Sequence, residues 1–254
     1  MIVERVYNLA LPRLEGKKIR EVRVGLGLIA VELDDGSLGV TYVLRKETAD
    51  GCSLLPQGGS IIGMPAQEIA GWALQGKNVI SSAMGLAVLN SVAEFDKLEQ
   101  VENVSSSDAA FSVEIRPNDT VGVIGHIGPI IFNLKDKVQS LFIFERGENL
   151  AGGVYPESKQ SELLPECQVV FVSSTSLINR TAEKVLDYCT GARDIVMVGS
   201  STPLYPQAFH GTGVTMLSGT RWLSEHRDPI LTGISQCSGV RQLIKYAQKM
   251  SVRV

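Results

Sequence analysis

His126 stands in the stretch VGVIGHIGPII, residues 121–131, where an apolar run meets a glycine turn; it is one of three histidines in the chain. A neutral imidazole on such a turn can ligate a metal or pass a proton. Glu145 closes a second apolar run, LFIFE, and Cys52 lies in a Gly-rich stretch beside Glu47 and Asp50. Imidazole, carboxylate and thiolate are the common protein donors to transition metals, so His126, Glu145 and Cys52 are the candidate metal ligands. Each also has a plainer reading: a hydrogen-bonded turn histidine, a solvated carboxylate, a buried thiol. The Glu47–Asp50–Cys52 spacing matches no compact metal site. Cys167 and Cys189 fall on apolar faces and read as core, while Cys237 in GISQCSG fits either reading.

The glycine turn itself suggests a different chemistry. A dinucleotide fingerprint is G-x-G-x-x-G, and its last two glycines align with Gly125 and Gly128. Val123 then stands where the first glycine belongs, and that glycine permits the tight turn. Glu145 follows Gly125 by 20 residues, close to the spacing of a ribose-binding carboxylate. Pro129 suits the first turn of a helix, whose free amides would favour an anion. No G-x-S-x-G, H-E-x-x-H or G-x-x-x-x-G-K-[ST] occurs, so hydrolase, zincin and P-loop chemistry lose their main support.

The other candidate ligand-binding residues are small or hydroxylic and follow apolar runs. They are Ser173, Ser174 and Thr175 with Asn179 in SSTSLINRT, and Gly199, Ser200, Ser201 and Thr202 in VGSSTPLYP. In an open parallel sheet, ligands bind beyond the carboxyl ends of the strands, near a reversal of strand order. That rule would bring these positions and Gly125–Gly128 into a single crevice.

The elements that must position them change character along the chain. Ile2, Val6 and Leu9 predict a helix that Pro12 ends. Apolar residues then alternate at 22–26, 29–33 and 38–42, with Asp35-Gly36 as a hairpin turn. This predicts an antiparallel meander with one face buried. Residues 66–75 read as a helix stopped by Gly76, and SSAMGLAVLNSV as a buried second helix. Residues 96–118 are polar, with Ser112–Ile115 as a short edge element. From Thr120 the pattern becomes strand, turn, helix, repeated, which predicts a mostly parallel sheet covered on both faces. Residues 176–190 read as one helix, and the chain ends on another carrying Val240, Leu243, Ile244 and Ala247. The fold class is α/β, divided into residues 1–97 and 98–254.

Composition narrows the partners. A net charge of −3 and the lack of basic runs interleaved with aromatics exclude an electrostatic footprint for nucleic acid. No apolar run reaches the length of a membrane span, and Glu4, Arg5, Asn8 and Arg13 break up the first residues as a signal peptide would not be. The chain therefore reads as cytoplasmic, with reduced thiols. The edges of the meander invite pairing between copies, so a homo-oligomer is an expectation of unspecified size.

The stretches GCSLL, IIGMPAQEIAGWAL and GLAVLNSV in the first half resemble a family described as "putative heavy-metal chelation" proteins. So do VGVIGHIGPII, FIFER, SSTSLINRT and VGSSTPLYPQAFHGTGVTMLSG in the second, and the resemblance covers nearly the whole chain. It implies a domain like the amino-terminal domain of enolase joined to a Rossmann-like domain. It also implies a site between them, built from the strand ends and the Glu47–Cys52 loop, and an association with transition-metal handling. It specifies no reaction. The leading expectation is a transition metal, or an anionic metal chelate, bound in the interdomain cleft, with a role in chelator metabolism. A nucleotide- or cofactor-dependent enzyme and a non-catalytic small-ligand sensor stand beside it.

Overall fold

Helix α1, Ile2–Leu14, buries Ile2, Val3, Val6, Ala10 and Leu14 along one face at helical spacing. It runs through Pro12 instead of stopping there. Proline in the last turn removes only a late hydrogen bond, and the fully buried Leu14 holds the end in place. The computed structural model describes residues 1–48, 54–76, 78–99, 113–147 and 152–254. Among these, no helix is long and apolar enough to cross a membrane.

Strands β1 (Ile19–Val24), β2 (Leu28–Leu33) and β3 (Leu38–Tyr42) form an antiparallel sheet in that order. Asp35 shapes the β2–β3 turn as predicted, its carboxylate accepting from the Ser37 N–H at 3.0 Å. The expected half-exposed meander is not what forms: all six residues of β2 are buried. Ile29, Val31 and Leu33 pack against helices α2 (Ala66–Gln75) and α3 (Val79–Ser91). Leu28 and Ala30 pack on the opposite side against Ile230, Leu231 and Ile234 of a helix far along the chain. Alternation predicts a wet face only if nothing covers it, and here a distant helix does. Helix α3 is buried from Ile80 to Ser91, as its near-continuous apolar sequence predicts, and Asn78 caps it by accepting from the Ser81 N–H at 2.8 Å. A short helix, α4 (Phe95–Glu99), follows. Of the edge element expected at Ser112–Ile115, Ser112 lies outside the described residues and Val113–Ile115 is not strand.

The second sheet has seven strands: β4 (Thr120–Ile124), β5 (Ser140–Glu145), β6 (Val154–Pro156), β7 (Val169–Ser173), β8 (Asp194–Val198), β9 (Met216–Trp222) and β10 (Ala247–Arg253). Their order is β6-β5-β4-β7-β8-β9-β10, and all pairings are parallel except β9 with β10. Counted from β4, the parallel strands run 3-2-1-4-5-6, the doubly wound order, with its reversal between β4 and β7. Helix α5 (Gly128–Leu134) covers one face, where Ile130 and Leu134 meet Val121, Val123 and Phe171. Helices α6 (Gln160–Leu163), α7 (Thr175–Ile178) and α8 (Ala182–Tyr188) lie on the face of Ile124, Phe144 and Val172, whose core is continuous with that of α1 to α3.

Two predicted helices differ. The helix expected over 176–190 is broken into α7 and α8, with Arg180 at φ +62° between them. The Arg180 guanidinium reaches across to the Leu74 carbonyl. The terminal helix is also shorter than expected. After α9 (Arg227–Ser235), α10 covers only Val240–Leu243, and Ala247 begins β10. The exposed edge of β9 offers a full ladder of partners from Met216 to Trp222, and pairing outcompetes a local helix.

Helix α9 also supplies Arg227, whose Nε and Nη2 donate to the two oxygens of Glu32 at 2.8 and 2.7 Å. Glu32 is 1% exposed on the inner strand β2, so this bidentate pair is what allows a carboxylate there.

Candidate functional site

The carboxyl ends of β4, β7 and β8 form a ridge of small residues at the reversal of strand order. Gly125 follows β4 at φ +88°, and a Cβ built there would lie 3.2 Å from the Ser173 Cβ. Gly199 follows β8 at φ +126°, and its Cβ would lie 2.9 Å from the Ser174 Oγ. Both positions demand glycine, by conformation and by space, so the crest of the ridge is backbone.

The glycine turn is closed to an anion. Its amides are already paired: Gly125 N–H to the Phe144 carbonyl at 2.8 Å, Ile127 N–H to Gly125 at 2.9 Å, and Gly128 N–H to His126 at 3.1 Å. The remaining donor, the His126 N–H, is taken by Glu145 Oε2 at 2.9 Å. Glu145 Oε1 accepts from the Arg146 N–H at 3.0 Å. The sequence leads one to expect bare peptide nitrogens; instead backbone carbonyls take three of them and the chain's own carboxylate caps the fourth.

On the α6–α8 side of the ridge lies a cleft of about 80 Å³. Of the four charged residues that line it, three are acids: Glu47, Glu145 and Glu157, with Arg146 among them. Arg146 donates from Nη1 to Glu47 at 2.8 Å and pairs through Nε with Glu157 at 2.8 Å. Burial works against its charge, but Glu157 and Glu47 outweigh that and raise the guanidinium pKa. Asn179 Nδ2 donates to both oxygens of Glu47 at 3.0 and 3.1 Å, and the Thr181 hydroxyl donates to Asn179 Oδ1 at 2.8 Å. The helix break at Arg180 thus turns Asn179 and Thr181 toward the cleft. Ser173 and Thr175 hydroxyls bond each other at 2.9 Å along its wall. Ser176, 4% exposed, lines the same cleft, and its hydroxyl has no hydrogen-bond partner.

On the α5 side of the ridge is a second opening of about 130 Å³. Ile127, Pro129, Ile130, Val240 and Ile244 give it mostly apolar walls, and Gly199, Asn133 and Lys249 also line it. Tyr42, Ser200 and Thr220 supply hydroxyls, and burial raises the Tyr42 pKa. The expected single crevice is therefore two openings on opposite faces of one sheet.

The remaining candidates divide between them or fall elsewhere. Gly125, Ser173, Thr175, Asn179 and Glu145 line the acidic cleft, and Gly199 and Ser200 the apolar slot. Ser201 does not line either; its hydroxyl accepts from the Tyr42 N–H at 2.8 Å and its carbonyl from Asn90 Nδ2 at 3.2 Å, tying β3 and α3 to the second sheet. Ser174 and Thr202 are buried with unpartnered hydroxyls. Gly128 and the His126 side chain are exposed on the turn, and Cys52 lies outside the described residues. Glu157 and Tyr42 were not among the residues singled out from sequence. Glu157 follows a three-residue strand too short to read, yet the Glu145–Pro156 register puts it beside Glu145.

As arranged, these side chains do not fit a bare metal ion. Among the described residues, no three His, Cys, Asp or Glu side chains converge on one point. The oxygens of Glu145 face two amides, and those of Glu47 face Arg146 and Asn179. Cys167 and Cys189 are buried away from the cleft, and burial pushes both thiols up to about 12, far from the thiolate a soft metal needs.

The fold and its openings define an α/β protein with a ligand-sized cleft at the reversal point of a doubly wound sheet. The chain belongs to the DUF364 family, described as "Putative heavy-metal chelation", whose model matches residues 108–253. A second family model with the same description, DUF4213, matches residues 7–93. An uncharacterized protein of Methanocaldococcus jannaschii is 29% identical over 147 residues, 57% of this chain and 56% of that one, so the match spans about half of the relative's length. A crystal structure of a DUF364 protein with unknown function from Pyrococcus horikoshii matches all of both chains at a TM-score of 0.85 and 22% identity. Another from Desulfitobacterium hafniense matches 100% of this chain and 98% of that one at 0.81 and 22% identity. These likenesses establish the fold.

Proposed function

We propose that the protein binds a small metal chelate of neutral or positive net charge in the Glu47–Glu145–Glu157 cleft. The observation that supports this reading is an acid-rich cleft that is also lined by Ser176, whose buried hydroxyl has no partner in the protein. A buried hydroxyl without a partner costs stability, and a ligand with a matching group would recover it. A bare ion needs several converging donors, whereas a chelate brings its own and asks only for charge and hydrogen bonds. The anionic chelate expected from the glycine turn would meet paired amides and three carboxylates, so charge disfavours it.

Calorimetric titration of the full chain with three nickel(II) probes tests this: the aqueous ion, its cationic ethylenediamine complex and its anionic nitrilotriacetate complex. The ethylenediamine complex is expected to bind at least about tenfold tighter than either of the others, a difference of about 1.4 kcal/mol. Equal affinity for the aqueous ion, or a preference for the nitrilotriacetate complex, overturns the reading.

The strand order, with Glu145 at the end of β5, favours nucleotide binding as a second reading. A thermal-shift panel of NAD, NADP, S-adenosylmethionine and ATP separates the two. A true ligand at 100 times its dissociation constant adds about 2.7 kcal/mol of apparent stability. No shift with any of the four removes the nucleotide reading.

A further inference from the structure

We infer that the acidic cleft and the apolar slot are two ends of one site, and that its ligand is bipartite: a cation-bearing polar head in the cleft and an apolar, ring-sized tail in the slot. This rests on the reading of the cleft just given and goes beyond it, because nothing in that reading requires the slot.

The two openings meet on the ridge. Gly125 lines the cleft, and Ile127, two residues on, lines the slot. Ser173 lines the cleft, and Gly199, packed close over Ser174, lines the slot. What separates them is the backbone ridge at Gly125 and Gly199, whose Cβ positions would face Ser173 and Ser174 and not the crest, beside the exposed His126. Directly beneath Gly199 sits the Ser174 hydroxyl, fully buried and without a hydrogen-bond partner, a polar atom placed under the crossing point.

The chemistry of the two ends differs. The cleft has three acids, one arginine and an unpartnered serine. The slot is walled by carbon from α5 on one side, through Pro129 and Ile130, and from the chain's last helical turns on the other, through Val240 and Ile244. Such a slot gains free energy chiefly by covering apolar surface, and its polar groups, from Tyr42, Asn133, Ser200, Thr220 and Lys249, can orient a ring edge. A head with no tail would leave the slot wet. A tail with no head would leave the acids with only the partners the protein gives them: Arg146, Asn179 and two backbone amides.

The test compares two cationic nickel(II) complexes on the full chain by titration calorimetry: that of ethylenediamine, and that of 1,10-phenanthroline, whose flat ring system supplies the tail. The phenanthroline complex is expected to bind at least about tenfold tighter, since several ring carbons leave water. Ile244→Trp, which fills the mouth of the slot, should abolish that gain and leave ethylenediamine binding unchanged. Val240→Trp serves as a second block should the first variant fail to fold. Each complex should displace the other at one site per chain. Ethylenediamine binding without a phenanthroline gain, or a gain that both tryptophan variants retain, overturns the bipartite site and leaves the cleft reading standing. Loss of both bindings overturns the cleft reading itself.

Discussion

The acidic cleft and the apolar slot are built on one sheet, from the same strand ends, yet they are opposites in chemistry. The difference comes from what each face of the sheet borrows. The cleft borrows Glu47 from the segment after β3 and Asn179 from the broken α7–α8 helix. The slot borrows Tyr42 from β3 and Val240 from α10. A doubly wound sheet supplies the ridge, and the amino-terminal part of the chain supplies a side chain to each side of it. Polarity here is set jointly by strand ends, which supply Glu145 and Glu157, and by neighbours distant in sequence, which supply Glu47 and Asn179.

The most disruptive way to break the comparison is to loosen the scaffold common to both openings. Ile230 is fully buried between α9 and the meander that carries Tyr42. Ile230→Ala should cost about 2–5 kcal/mol in denaturant unfolding. A smaller loss would mean that the meander is not anchored through this contact. Next comes the ridge. Gly199→Ala forces a side chain into φ +126° and toward Ser174, and should cost about 1–3 kcal/mol while weakening any ligand that crosses. Unchanged melting would show that the ridge tolerates a methyl group.

The closed, amino-terminal edge of the sheet sharpens the contrast from the other side. Cys167, before β7, and Cys189, after α8, are sealed from water, and burial pushes their pKa up to about 12 from 9.0. Above pH 9 the unfolded chain releases these protons and the folded chain keeps them, so folding stability falls as pH rises toward 12. The slope approaches about 1.4 kcal/mol per pH unit for each thiol. Unfolding measured from pH 8 to 11 should show that decline, and the Cys167→Ala, Cys189→Ala double variant should flatten it. An equal slope in the variant would assign the decline to other groups.

The smallest expected effect is at Ser176. Replacing it with alanine removes a hydroxyl that bonds to nothing in the protein, so stability should hold or rise by up to about 1 kcal/mol. Binding of the ethylenediamine complex should weaken by about 0.5–1.5 kcal/mol, the worth of one hydrogen bond. A variant that loses stability and keeps full affinity would place the hydroxyl in the scaffold and not in the site.

Much of this was legible in local pattern. Alternation marked β1 to β3, apolar runs marked β4, β5, β7 and β8, and small residues after those runs marked the ridge. Chain-end pairing was not legible: Val240 to Ala247 has helical spacing, and only the open edge of β9 draws Ala247 onward into a strand. The same limit hid the state of the glycine turn. Gly125 to Gly128 has the spacing of an anion cradle, but two of its amides are taken by the Phe144 carbonyl and the Glu145 carboxylate, which reach them only because β5 pairs with β4.

The sequence by itself marked the meander strands, the helices α1 to α3, the inner strands of the second sheet and the glycine turns, because periodicity and backbone sterics act over a few residues. Tertiary structure alone decided that the strand-end residues face two openings and not one, and that Glu47, Arg146 and Glu157 share a cleft. It also decided that Ser201 serves as a clamp. Those outcomes depend on which face of the sheet a side chain reaches and on what distant segment packs over it, and neither is encoded at short range.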